Sequence, residues 1–433
     1  LVNAGLINYS DKDGTISINN DALQSLQSSN PDKLKDILTT LKDSFSNSLN
    51  NWTSTIKLYS NTGDSQINLI NQKISSMQEY LAKYEERNGI SVNWENIIKG
   101  GVYELLRRIV IRDIKNPIFF RIKKDYKDVY RKLNQWVLNY FERLNLDKTL
   151  LEELRLYIVE DDLVDDFSRY ILNASHKYSS YLEFLLIKQI NPYGYEIEKI
   201  DREMLKDIEQ FLELEGIRRL ITKQKISDFV ELCGQLRFQV RWSQTPRIPR
   251  TSVLGHSMFV ASATYFLTRD NNPCPRRLYN NFFGGLFHDL PEAVTRDIIS
   301  PVKTSSEDFE AIIKDIEDEL AEKEIYPLLE PEWVPEIRYF TQNEFNNKIV
   351  KEGEIVNVET VDEITNNYNQ DLFNPYDGQL IRAADHMSAF LEAKSSIDYG
   401  ISSNDLQSAI KNLRNQYQKR IGNINFGDIY NEL

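Results

Sequence analysis

The sequence predicts a mainly α-helical protein, and three observations carry that reading. Apolar residues recur at helical spacing along most of the chain: Ile97, Ile98, Leu105, Leu106, Ile109 and Val110 with charge between them, then Trp136, Val137, Tyr140 and Phe141 on one face of residues 126–144. Ile67, Ile70, Ile74, Met77, Leu81 and Tyr84 follow one another at spacings of three and four, an a/d seam over almost three heptads. A strand signal is confined to the start, where a turn at Asp13-Gly14 precedes the alternating run Thr15 to Ile18.

Taken in order, residues 1–88 form a first segment, rich in Asn and Ser, with small α+β and coiled-coil character. Its Asp11-Lys12-Asp13-Gly14 fails as a calcium loop, because the twelfth position is Asn20 where a carboxylate is needed. Pro31 suits the first turn of a helix. The heptad helix has two readings, packing within its own domain or self-association into a homo-oligomer. Asn88-Gly89 is a breaker, and residues 91–222 read as a helical extension interrupted at Asn116-Pro117. Further helices are expected over 150–181 and 198–214. His176 has no partner at metal-ligand spacing and is expected at the surface or core edge. Residues 223–433 form the third segment, with helices through Met258 to Leu267, up to His288-Asp289, over 307–324 and over 380–391. The Asn-rich stretch 362–377 is expected to be loop.

Composition narrows the function classes. The 433 residues leave room for two or three domains and an ample core. A net charge of −13 gives no general footprint for a nucleic acid polymer. No apolar run approaches the ~18 residues of a membrane span, and the N-terminus, opening at Leu1, shows no secretory signal pattern. With only Cys233 and Cys274, a zinc site built on cysteines is excluded and a cytoplasmic location is expected.

The chemistry-bearing residues lie in the third segment. His288-Asp289 places an imidazole beside a carboxylate, and both are ligands for divalent first-row metals. Such a doublet needs further ligands from other elements. His256 opens the preceding helix. Asp385 sits on or beside the small, apolar face of a late helix, where a carboxylate needs a cationic partner, a metal or an arginine. His386 follows it but points about 100° away, and is expected not to be a ligand.

Together His256, His288-Asp289 and Asp385 form an H…HD…D pattern that resembles the HD-domain metal-dependent phosphohydrolases. Arg241-Trp242, Glu292 three residues after Asp289, Thr295-x-Asp297, Pro301-Val302-Lys303 and Ala384-Asp385 extend the likeness, over roughly 230–420, to the bacterial 5′-deoxynucleotidases of that superfamily. The stretch from Ser91 resembles the N-terminal extension of longer bacterial HD proteins. The resemblance implies an all-helical HD-domain bundle and one divalent ion on His256, His288, Asp289 and Asp385, with water completing an octahedral shell. Mixed N/O ligation suits Mn, Co, Fe or Ni better than Mg. It further implies hydrolysis of a small-molecule phosphate ester, a nucleoside 5′-monophosphate or related nucleotide. Asp289 and Glu292 would then serve catalysis, and Arg241, Trp242, Asp297 and Lys303 would contact substrate. An alternative is a hydrolase of a guanosine polyphosphate signal. One departure stands out: the nucleotidase pattern has an acidic residue before the first His, and here that position is Gly255.

Gly5-Leu6-Ile7, Asp11 to Gly14, Asn30-Pro31-Asp32, Thr62-Gly63 and the heptad helix ending Tyr84-Glu85-Glu86-Arg87 resemble the C-terminal part of a bacterial flagellar filament cap protein. That resemblance implies an exported structural subunit, opposite in compartment to a nucleotide enzyme. A join between unrelated segments near residues 86–91 is therefore expected, with residues from Ser91 onward sufficient for activity.

Overall fold

This computed structural model describes residues 7–9, 16–18 and 66–433, apart from 113, 115, 145 and 296–306. It is mainly α, with small two- and three-stranded sheets at the periphery. Six helices position the site: α1 (Gln66–Arg87), α2 (Trp94–Ile111), α3 (Asp166–Ile190), α4 (Val253–Arg269), α5 (Pro275–Phe287) and α6 (Gly378–Asp398). No helix among the described residues is long and apolar enough to cross a membrane.

At the N-terminus, Ile16–Ile18 pairs antiparallel with Ile7–Tyr9, so the anticipated strand has a partner. The Asp13-Gly14 turn and the remaining stretches of the flagellar resemblance before residue 66 lie outside the described residues. The heptad seam does form a helix, α1, but it does not face another copy. Residues 73–85 are buried on all sides, against α2, α3, α4 and the helices Glu215–Ile221 and Lys225–Gln235. The coiled-coil reading is therefore corrected. Its charged side chains are met within the chain, as the packing reading requires. Lys73 pairs with Glu183 at 2.8 Å and Lys83 with Glu336 at 2.5 Å, while Glu85 accepts from the backbone N–H of Glu215 at 2.6 Å. One hydrophobic cluster runs without a break from Met77 through Ile97 and Leu106 to Met258, Phe287 and Phe390. The boundary expected near residue 88 thus runs through a continuous core.

The extension departs in detail from its sequence reading. The helix expected over 150–181 is broken at 161–165, where Asp165 accepts from the backbone N–H of Ser168 and starts α3. Trp136, placed on the apolar face with Val137 and Phe141, is exposed while those two are buried. His176 is half-buried beside Glu104 and Arg108, at the core edge.

In the third segment α4 is buried along its whole length, starting at Ser252, whose hydroxyl accepts from the Gly255 N–H at 3.1 Å. It packs most closely on α5, and Gly285 permits this. A Cβ there would stand 3.0 Å from the Ala261 Cα, on α4's own backbone. The start of α6 is tied to α5 by a fully buried ion pair, Arg277 to Asp377 at 2.7 and 2.8 Å, joined by Asn281 at 2.6 Å. The stretch expected as loop, 362–377, instead forms short helical turns and the strand Tyr376–Asp377. That strand pairs with Asn347–Lys351, which also pairs with Glu354–Asn357 through a tight turn with positive φ at Glu352 and Gly353.

Candidate metal centre

Three helices and one loop bring the site together. His256 lies in the first turn of α4, His288-Asp289 follows the last turn of α5, and Asp385 lies mid-way along α6. Ligand atoms of His256, His288 and Asp289 all fall within 4.8 Å of one another. Asp385 joins them: its Oδ1 is 3.1 Å from His256 Nε2, while Asp289 Oδ2 is 3.5 Å from His256 Nε2 and 3.2 Å from His288 Nε2. The four residues of the H…HD…D pattern are therefore adjacent in space, although 129 positions separate the first from the last.

Each imidazole is aimed by its other nitrogen. His288 Nδ1 is 2.9 Å from the Gly285 carbonyl, which only accepts, so the proton is on Nδ1 and the Nε2 lone pair faces the cluster in the neutral ring. His256 Nδ1 is 2.9 Å from the Ser388 hydroxyl of α6. Ser388 thus stands where an orienting partner is needed and Gly255 offers none. Both Nε2 atoms are buried and lack a hydrogen-bond partner. Two orphaned imidazole nitrogens facing two carboxylates form a donor set that fits a divalent ion of the borderline first-row kind.

The charge balance agrees. Burial disfavours both carboxylates as anions, but the His288 imidazole brings Asp289 down to about 2. Asp385 is held far below the usual range against the same burial by its close contact with the His256 imidazole, 3.1 Å away, and by Arg241. Burial lowers His288 too, yet Asp289 raises it to about 9, whereas burial and Arg241 lower His256. The cluster attracts positive charge, and a proton on one imidazole answers only part of that demand.

Arg241 comes from a strap, 239–253, closed by pairing of its own ends: Arg241 N–H donates to Thr251 C=O at 2.9 Å and Val253 N–H to Gln239 C=O at 3.0 Å. Its guanidinium lies 3.7 Å from Asp385 and 4.0 Å from Asp289. Glu392, unmarked in the sequence reading, anchors it at 3.3 Å and also accepts from the Trp242 indole N–H at 2.8 Å and the Thr251 hydroxyl at 2.6 Å. Burial opposes the Glu392 charge, but Arg241 and Arg247 lower its pKa to about 2. Trp242 is held at φ 59°, a strained conformation for a bulky residue. Glu392 could have been found: it follows Asp385 by seven residues, two helical turns along the same face. Ser388, one turn after Asp385, carries the same signal.

Glu292 begins a short helix directly after the doublet, its N–H donating to Asp289 C=O at 3.1 Å and its C=O accepting from the Gln239 amide at 2.6 Å. Its charge is felt by Arg241. Asp297 and Lys303 lie outside the described residues. His386 turns away from the cluster, with Nδ1 2.8 Å from the Tyr417 hydroxyl.

Residues 233–414 match the family model of the HD domain. The match spans His256, His288, Asp289 and Asp385 as well as Arg241, Glu292 and Glu392. No curated protein matches the chain, and no solved structure does.

Proposed function

We propose that the protein is a divalent-metal-dependent phosphohydrolase acting on a nucleotide phosphomonoester, with His256, His288, Asp289 and Asp385 as the metal ligands. One observation carries this reading: two buried imidazole nitrogens without a hydrogen bond converge with two carboxylates beside an arginine whose planar fork suits phosphate. The match to the HD domain, a family of metal-dependent phosphohydrolases in general, supports it. A bound ion of the Mn, Co, Fe or Ni type supplies an activated water and polarises a phosphoryl oxygen.

The chain's own residues do the rest. Arg241, already steered by Glu392, binds the phosphate oxygens and neutralises their charge. Glu292 exchanges the protons of the reaction: water oxygen bonds to phosphorus, the ester P–O bond breaks, and the leaving oxygen takes a proton. Trp242, its indole N–H fixed on Glu392, presents a wall for a base. Asp297 is assigned to a sugar hydroxyl and Lys303 to phosphate on the resemblance alone. Nucleotides are cytoplasmic substrates, and that is the compartment proposed.

The test is a phosphatase screen over nucleotides in Mn, Co, Ni and Mg, with Asp289→Ala as control. Metal-dependent release of phosphate by the wild type, lost in the variant, is expected. Equal release by both refutes the site.

A further inference from the structure

The flank of α6 next to Asp385 opens onto a cleft of about 360 Å³, within the size range of small-molecule sites. Arg382, Lys419 and Arg420 line it, against one carboxylate, Asp362, with Tyr417 as an aromatic wall. Three cations thus face one carboxylate in a chain of net charge −13. Among the described residues none of the three forms an ion pair. Arg382 stacks on Phe345 at 5.2 Å, Lys419 stands over Tyr417 at 5.4 Å, and Arg420 donates to its own turn at Asn423.

The cleft borders the helix that carries Asp385. Arg382 precedes Asp385 by three residues, ~4.5 Å along the helix axis, on the adjoining flank. The Phe345 ring that carries Arg382 lies 6.2 Å from the His288 ring. On the other side Tyr417 reaches His386, the neighbour of Asp385. The second wall is built firmly. Lys419 and Arg420 lead into the hairpin Arg420–Ile421/Ile424–Asn425, whose turn is pinned to the end of α4: Asn423 N–H donates to the Asn271 side chain at 3.1 Å and its amide to Asp270 C=O at 3.0 Å. Gly422 in that turn has φ 57°, and a Cβ there would collide with Asn271.

We infer that this cleft is a subsite for a second anionic group of the substrate, a phosphate beyond the one cleaved, so that the preferred substrates are nucleotides carrying more than one phosphate. The inference rests on the phosphohydrolase reading above. It selects, within that reading, a multiply phosphorylated nucleotide over a simple monophosphate. Guanidinium and ammonium groups that face a cleft without an ion-pair partner are matched by phosphate oxygens, and three cations against one carboxylate favour a multiply charged phosphate over a lone carboxylate.

Two measurements on the full chain test it. The first is calorimetric binding of inorganic triphosphate in the presence of EDTA, with wild type and Arg382→Gln/Lys419→Gln. Saturable binding by the wild type, weakened at least tenfold in the double variant, is expected. Both side chains are exposed, so an unchanged melting temperature confirms the fold, and Arg420→Gln alone provides a second variant with a smaller loss. No binding by the wild type, or equal binding by the variants, overturns the inference. The second is steady-state hydrolysis. KM for multiply phosphorylated nucleotides is expected to rise at least tenfold in the double variant, with KM for p-nitrophenyl phosphate unchanged. Equal effects on both substrates overturn the subsite assignment. If the wild type hydrolyses no phosphate ester, yet triphosphate binding is lost in the variant, the phosphohydrolase reading falls and the anion site stands.

Discussion

Replacing Leu81 by alanine tests whether α1 belongs to the enzyme-like bundle or stands apart as an association helix. Leu81 is 1% exposed and packs directly on the Gly216 backbone, whose missing Cβ would fall 2.5 Å from a Leu81 methyl. The substitution removes three carbons, worth ~2.4 kcal/mol at ~0.8 kcal/mol each. The backbone of the helix at Gly216 restricts collapse into the space, so a cavity contribution is added and a total loss of ~3–4 kcal/mol is expected. Urea unfolding followed by tryptophan fluorescence reads it directly, because the Trp333 ring lies 4.7 Å from Tyr84 on the same helix. The midpoint should fall and be independent of protein concentration. A loss below ~1 kcal/mol, or a midpoint that rises with concentration, would refute the packing argument. For the same reason a chain starting at Ser91 should be unstable and poorly active, contrary to the expectation of a join near residues 86–91.

Other outcomes follow from the same geometry. Ser388→Ala removes the group facing His256 Nδ1 and should weaken metal binding 10–100-fold by calorimetry, with metal-free stability changed by ~1 kcal/mol or less; unchanged affinity would show that Ser388 does not orient the ring. Gly285→Ala pushes α4 and α5 apart and moves the carbonyl that holds His288, so a stability loss of ~1–3 kcal/mol with a fall in metal affinity is expected in thermal melts and titrations. Acid should destabilise the extension in two stages. Burial lowers His176 to about 4, so it folds neutral and stability declines as pH falls from 6.5 towards 4. Burial would raise Glu104, but Arg107 and Arg108 lower it to about 2, so its contribution is present above pH 4.5 and lost as pH falls towards 2. His176→Gln should flatten the upper stage of the melting temperature against pH, and an unaltered profile would refute that assignment.

The helical class and the His288-Asp289 doublet were readable because they rest on local patterns, whereas His256 and Asp385 were joined to the doublet by the likeness to the HD-domain phosphohydrolases. Spacings of three and four mark a helix whatever it packs on, and His288-Asp289 is a doublet in the chain itself. Asp385 was detectable as a carboxylate on an apolar face. Glu392 and Ser388 were not singled out, although they share that face, because the function of each depends on Arg241, Trp242 and His256, which reach them from remote segments. The strand Tyr376–Asp377 went unseen for a similar reason: a two-residue strand has no periodicity of its own and exists only through its partner. The hairpin at 347–357 is local, with its turn at Glu352-Gly353, and carried a signal that was not read.

The sequence by itself determined the mainly α class and the types of side chain available to a site, since side-chain chemistry and helical period belong to the residues. Only the tertiary structure decided where α1 goes. Its seam could bind a copy or its own chain, and the buried pairs Lys73–Glu183 and Lys83–Glu336 form only when distant segments close around it. The same closure sets His256 Nε2 3.1 Å from Asp385, because two carboxylates and two imidazoles become a site only when helix packing overcomes their separation in the chain.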